Sequence, residues 1–113
     1  MLTVDALREY GADVDTGLAR CLNNEAFYLR MVSMTVPDTK LDELEAAIAA
    51  KDLDRGFELA HAMKGMYSNL ALTPILNPVN EMTELLRART DTDYSKLLAE
   101  AKLQKEMLNR MAE

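Results

Sequence analysis

The hydrophobic positions of this chain recur at spacings of three and four, with almost no strict alternation of apolar and polar residues, a pattern that predicts helices and no strands. Thr3 can cap a first short helix that runs through Glu9 and is ended by Gly11. Asp13 or Asp15 starts a second short piece reaching Cys21. Asn23 or Asn24 caps a longer helix, Glu25 to Met34, in which Phe27, Met31 and Met34 predict one buried face. Pro37 then stops or kinks the helix, because proline lacks an N–H and clashes with the preceding turn. The restarted stretch runs to about Ala50 with an apolar stripe of Leu41, Leu44, Ala47 and Ile48. Lys51-Asp52 is a tight junction, and Asp52 caps a helix from Leu53 to about Leu70. Thr73-Pro74 marks the next start, a capping hydroxyl followed by proline at the first helical position. That helix is expected to reach about Arg89, with Pro78 in its first turns. Asp91-Thr92-Asp93 breaks the chain again, and Asp93 caps a last helix from Tyr94 to Met111. Short connections favour antiparallel neighbours. The expected fold is all-α: an antiparallel up-down four-helix bundle with short extra N-terminal helices, one domain over residues 1–113.

Composition agrees with this pattern and narrows the function. Good helix formers dominate, and the chain has 8 Met, no Trp and only 4 Gly in 113 residues. No apolar run approaches the ~20 residues that a membrane span needs. The first residues, Met1 to Asp5, lack the basic and apolar regions of a signal peptide. Cys21 is the only cysteine, which excludes an internal disulfide and a cysteine metal cluster. A cytoplasmic monomer is the expectation. The net charge of −6, with no dense Lys/Arg block, makes nucleic acid a poor partner.

The segment from Asp52 to Leu70 carries the chemistry. At ~100° per residue, Leu59, Met63, Met66 and Leu70 fall together, flanked by Gly56, Ala60 and Tyr67, and this is the expected core face. His61, the only histidine, lies roughly opposite its centre and points to solvent. Asp54, Phe57, Glu58, Lys64, Gly65 and Ser68 surround it on the outer face. A bare exposed histidine is ordinarily just a surface residue. Three neighbours argue for more. Gly65 costs a helix interior about 1 kcal/mol relative to Ala and clears space one turn beyond the imidazole. Lys64 sets an ammonium where it can pair with phosphate oxygens. Phe57, one turn before His61, is a large apolar residue on the solvent side, either free-standing or reaching a groove between helices.

The run His61-Ala-Met-Lys64-Gly65 resembles the signature of the histidine phosphotransfer (HPt) domain family of bacterial two-component phosphorelays: His, two residues, Lys, Gly, within a helix. Leu44 to Ile48 with Lys51-Asp52 is similar to the family's preceding helix and turn. Ser68-Asn69-Leu70 resembles the end of the active helix, Leu76 to Leu86 the helix after it, and Phe27-Tyr28-Leu29 an earlier one. One position departs. Ala71 stands where the family often has Gly, and because Ala resists left-handed angles, the helix is expected to run on towards Thr73. The resemblance implies a phosphorelay intermediate. Nε2 of His61 takes a phosphoryl group from an aspartyl phosphate on a receiver domain and passes it to another receiver, with Lys64 supporting the phosphate. Phe57, Glu58, Gly65 and Ser68 would form the docking face. Partners would be response-regulator receivers or a hybrid sensor kinase. The chain would need no cofactor of its own, the Mg²⁺ lying on the receiver.

Other functions fit less well. The chain has no glycine-rich ATP loop and no room for a kinase domain. Ala62 stands where dimerising sensor-kinase helices place an acidic residue after their histidine. A metal site would have only Asp54 and Glu58 beside His61. A hydrolase needs a nucleophile and base in a pocket, which a convex helix face does not offer. The open alternative is a helical interaction module of the same fold that binds a receiver or other signalling partner without carrying phosphate.

Overall fold

The computed structural model describes residues 1–113 as seven helices and no strands. They are α1 (Val4–Tyr10), α2 (Val14–Arg20), α3 (Glu25–Met34), α4 (Lys40–Ala49), α5 (Leu53–Asn69), α6 (Thr73–Arg87) and α7 (Ser95–Ala112). Successive members of the set α4, α5, α6 and α7 pack on one another, and α7 returns to α4. These four form the bundle, and α1–α3 are the shorter N-terminal helices. All seven contribute to a core cluster of 25 buried residues.

The caps sit largely where the polar residues predicted. Thr3, Asp13, Asn24 and Asp52 each accept a backbone N–H from the first turn of the following helix through a side-chain oxygen. The last helix starts one residue later than expected: Tyr94 and not Asp93 holds its cap position, without a side-chain bond, while Asp93 accepts the N–H of Ser95 at 2.9 Å from just outside the helix. At Pro37 the chain stops and restarts: α3 ends at Met34, and two short turns lead through Pro37 into α4. The expected start at Thr73-Pro74 moves by one residue. Leu72 occupies the cap position, Thr73 is already helical, and its hydroxyl turns back to the carbonyl of Ala71.

Two expectations are overturned. The buried face of α3 is Tyr28 and Val32, whereas Phe27 and Met34 are exposed and Met31 is half-buried. Two apolar stripes lie one residue apart on this helix, and periodicity does not choose between them. Gly17 makes the choice. Its bare Cα lets the Tyr28 ring lie against α2, and the Tyr28 hydroxyl donates to the carbonyl of Leu70 at 3.0 Å. Nor does α5 run on to Thr73. It ends at Asn69, and Ala71 itself adopts the left-handed conformation, φ 55°. Its N–H bonds to the carbonyl of Ser68, and the N–H of Leu72 bonds to that of Tyr67, the pair of bonds that normally closes a helix at a glycine. Ala accepts the strain, of the order of 1–2 kcal/mol, because the junction is fixed from outside. The Ala71 carbonyl accepts the N–H of Asp13 at 2.9 Å, while its methyl group is buried.

The Tyr28–Gly17 contact has no slack. A Cβ on Gly17 would lie 2.5 Å from Cε1 of Tyr28 and 2.8 Å from the backbone oxygen of Leu70. Gly17→Ala should therefore destabilise the fold by about 2 kcal/mol or more, since overpacking here must move backbone. Chemical denaturation of the variant checks this; an unchanged midpoint would show that α2 is not pinned by this contact.

Candidate functional site

The site is built on α5, whose two faces differ in kind. Gly56, Leu59, Ala60, Met63 and Tyr67 are buried. Met66 is half-buried, so the core face is turned slightly towards Gly56, Ala60 and Tyr67 from the centre expected at ~100° per residue. Gly56 packs against α6: a Cβ there would lie 3.3 Å from Leu86. With Ala60 fully buried, the next residue, His61, is turned out to solvent by the 100° helical step.

Around His61 the outer face takes a definite arrangement. The Phe57 ring stacks on the imidazole, with centroids 5.5 Å apart and planes at 21°. The guanidinium of Arg87, on α6, lies 5.0 Å from the centre of the Phe57 ring. Such a cation over an aromatic face is worth about 0.5–1 kcal/mol at an exposed site. Phe57 is thus half-buried, in contact with His61 and Arg87 and packed against the core, which resolves the two orientations left open by the sequence. Lys64 is half-buried and engaged: its Nζ lies 3.4 Å from Oε1 of Glu84. The other oxygen of Glu84 is 3.3 Å from Nε of Arg87. The hydrogen bond from Lys64 is the main cause that holds the Glu84 carboxyl below the usual carboxylate range, with Arg87 adding to it.

The remaining residues divide. Glu58 is exposed and pairs with Arg55 at 3.7 Å. Asp54 pairs with Arg89. Asp54, Phe57, Glu58, Leu86, Arg87 and Arg89 line an open groove between α5 and α6 beside the histidine. Ser68 is half-buried, and its carbonyl accepts hydrogen bonds from Ala71 and Arg20, so it belongs to the closure of α5 as well as to the outer face. Gly65 is exposed, and a Cβ built on it meets nothing within 4 Å.

The sequence alone does not single out Glu84 and Arg87. Their spacing of three marks an ion pair on one face of α6. Nothing in it shows that this face adjoins His61, which depends on how α6 packs.

The family model for the Hpt domain matches residues 28–113. The chain belongs to the Hpt domain family. The match takes in α4 to α7 and most of α3, and therefore the whole of the His61 face; α1 and α2 precede it. Hpt domains serve histidine phosphotransfer in phosphorelays, interact with response-regulator receivers, and are phosphotransfer carriers, not kinases. The all-helical architecture agrees with that fold. No helix is long and apolar enough to cross a membrane. Comparison with curated proteins and with solved structures gave no match.

Because Gly65 faces open space, an alanine there gains helix propensity and meets no obstacle. Gly65→Ala should stabilise this Hpt domain by up to about 1 kcal/mol. A higher melting midpoint is the expected reading; a lower one would mean that Gly65 packs against something.

Proposed function

We propose that this Hpt domain is a phosphorelay intermediate with His61 as its phosphoryl acceptor. The observation that carries the reading is a solvent-exposed imidazole in the middle of a rigid helix, beside an open glycine. A nucleophile placed so can be approached in line by a phosphoryl group held on another protein. The lone pair of Nε2 attacks phosphorus, the bond from phosphorus to the aspartyl oxygen of the receiver breaks, and the aspartate leaves as a carboxylate. In the onward step an aspartate of a second receiver attacks, and the bond from phosphorus to Nε2 breaks. Such chemistry rests mainly on positioning and charge stabilisation. This chain contributes the accessible ring, which Phe57 holds by stacking, and the ammonium of Lys64. The Mg²⁺ and the remaining charge stabilisation belong to the receiver. Phe57, Glu58, Gly65 and Ser68 form the surface on which the receiver sits. No ATP site is needed, and the domain does not phosphorylate itself from ATP.

His61→Gln should abolish phosphoryl acceptance and leave stability within about 0.5 kcal/mol, as expected of a surface substitution. The check is acid-labile label after incubation with a phosphorylated receiver, read beside a circular dichroism melt. Equal labelling of variant and wild type would refute the assignment and favour an interaction module that carries no phosphate.

Gly65→Gln separates stability from function. The domain should remain folded, yet transfer from a receiver should slow by roughly tenfold or more, equivalent to ~1.4 kcal/mol in the barrier, because the new side chain stands where the partner must approach. Wild-type transfer rates in this variant would show that the open space beside His61 is not used for docking.

A further inference from the structure

An open chain of contacts links five side chains, starting from the candidate acceptor. His61 stacks on Phe57, Phe57 lies beneath Arg87, Arg87 pairs with Glu84, and Glu84 pairs with Lys64, which stands three residues from His61 on α5. Residues three apart on a helix are surface neighbours, so the Lys64 side chain rises from α5 beside His61 while its ammonium bonds Glu84. The two oxygens of Glu84 are divided, Oε1 to Lys64 and Oε2 to Arg87. If Lys64 departs, Glu84 therefore keeps a cationic partner. The pair is also open to water: the Lys64 and Glu84 side chains are 33% and 53% exposed. An exposed ion pair of this kind is weak and easily exchanged. A phosphoryl group carries more negative charge than a carboxylate and offers more acceptor oxygens.

We propose that Glu84 is a resident counter-ion of Lys64 that competes with the phosphoryl group: it holds the ammonium while His61 is empty and is displaced from it when a phosphoryl group arrives. Lys64 then donates to a phosphoryl oxygen in place of Oε1 of Glu84, and Glu84 remains on Arg87. The exchange keeps the ammonium ordered in the empty domain and sets how strongly the loaded state is favoured. Removing the charge of Glu84 frees Lys64 for the phosphoryl group. This inference rests on His61 being the acceptor, and the experiment reads the two separately.

The probe is phosphoramidate acting on the full chain, without any receiver. Its phosphorus–nitrogen bond breaks as the bond to His61 forms, and the nitrogen leaves as ammonia. Phosphohistidine is followed by ³¹P NMR, with His61→Gln as the blank. Wild type, Glu84→Gln, Lys64→Ala and the double variant are compared, with Glu81→Gln as a control for net charge, because Glu81 is an exposed carboxylate on the same helix. Glu84→Gln should raise the extent or rate of phosphorylation by roughly two- to fivefold, the scale of an exposed ion pair. That gain should vanish in the Lys64→Ala background and be absent from Glu81→Gln. The inference is overturned if Glu84→Gln is neutral or slower, if its gain survives loss of Lys64, or if Glu81→Gln matches it. A melting curve identifies any variant that has lost its fold; if Glu84→Gln has, Glu84→Asp takes its place, since its shorter carboxylate keeps the charge but reaches Lys64 less well, and it should raise phosphorylation by a smaller, Lys64-dependent factor, with a neutral or slower result counting against the role. If wild type itself takes no phosphate on His61, the acceptor reading falls first and this inference with it.

Discussion

The rotation of α5 about its own axis is the constraint on which the rest depends. A helix offers every direction to its side chains, and only packing decides which one becomes the outside. Gly56 leaves one face of α5 narrow enough for Leu44 and Leu86 to close over it, and Ala60 is buried on the same helix. Leu59, Met63 and Tyr67 complete the buried side. A slip of one residue would bury His61 and expose Ala60 or Met63, losing about 1.5–3 kcal/mol for a side chain such as Met63 and burying a polar ring without a partner. The same packing that stabilises the bundle therefore presents the histidine.

The far end of α5 is fixed by groups remote in sequence. The Tyr28 hydroxyl bonds the Leu70 carbonyl, Arg20 reaches the Ser68 carbonyl, and the Asp13 N–H bonds the Ala71 carbonyl. These bonds satisfy carbonyls that a helix C-terminus leaves without partners inside the helix, and they join α2 and α3 to the bundle. They also account for the left-handed Ala71. The chain must reverse there to enter α6, and the surrounding bonds hold the angle that a glycine would adopt without strain. Lys51 and Arg89 close α4 and α6 with the same positive φ, so this ending is general in the molecule and not peculiar to the position next to the site.

The electrostatics of the site differ from those of the whole chain. Net charge is −6, yet Lys64, Arg87 and Arg89 gather on the α5–α6 side near His61. Each is matched by a carboxylate, Lys64 and Arg87 by Glu84 and Arg89 by Asp54. A surface of exchangeable pairs is well suited to a transient anion, because exposed pairs are weak and the cations are already in place. The stacked Phe57 adds an element that charge does not provide. It restricts the imidazole from one side while leaving its edge in water.

The sequence by itself determined the helical class, most of the element boundaries and the candidates for chemistry. Periodicity of three and four, capping side chains and the breaks at Gly11, Pro37 and Asp91 to Asp93 act locally, so they are readable one segment at a time. That His61, Lys64 and Gly65 share the outer face follows from the same local geometry. Tertiary structure decided what local rules leave degenerate. On α3, Phe27, Met31 and Met34 form as good a stripe as Tyr28 and Val32, and the bare surface of Gly17 on another helix selects the second. At Ala71, intrinsic preference argues for continued helix, and bonds from Asp13 and the need to reverse into α6 override it. Around His61, the sequence names Lys64 and Phe57 but not their partners. Glu84 and Arg87 lie more than twenty residues from the histidine, and they reach it only because α6 folds back along α5, where contact is set by distance in space and not by order along the chain.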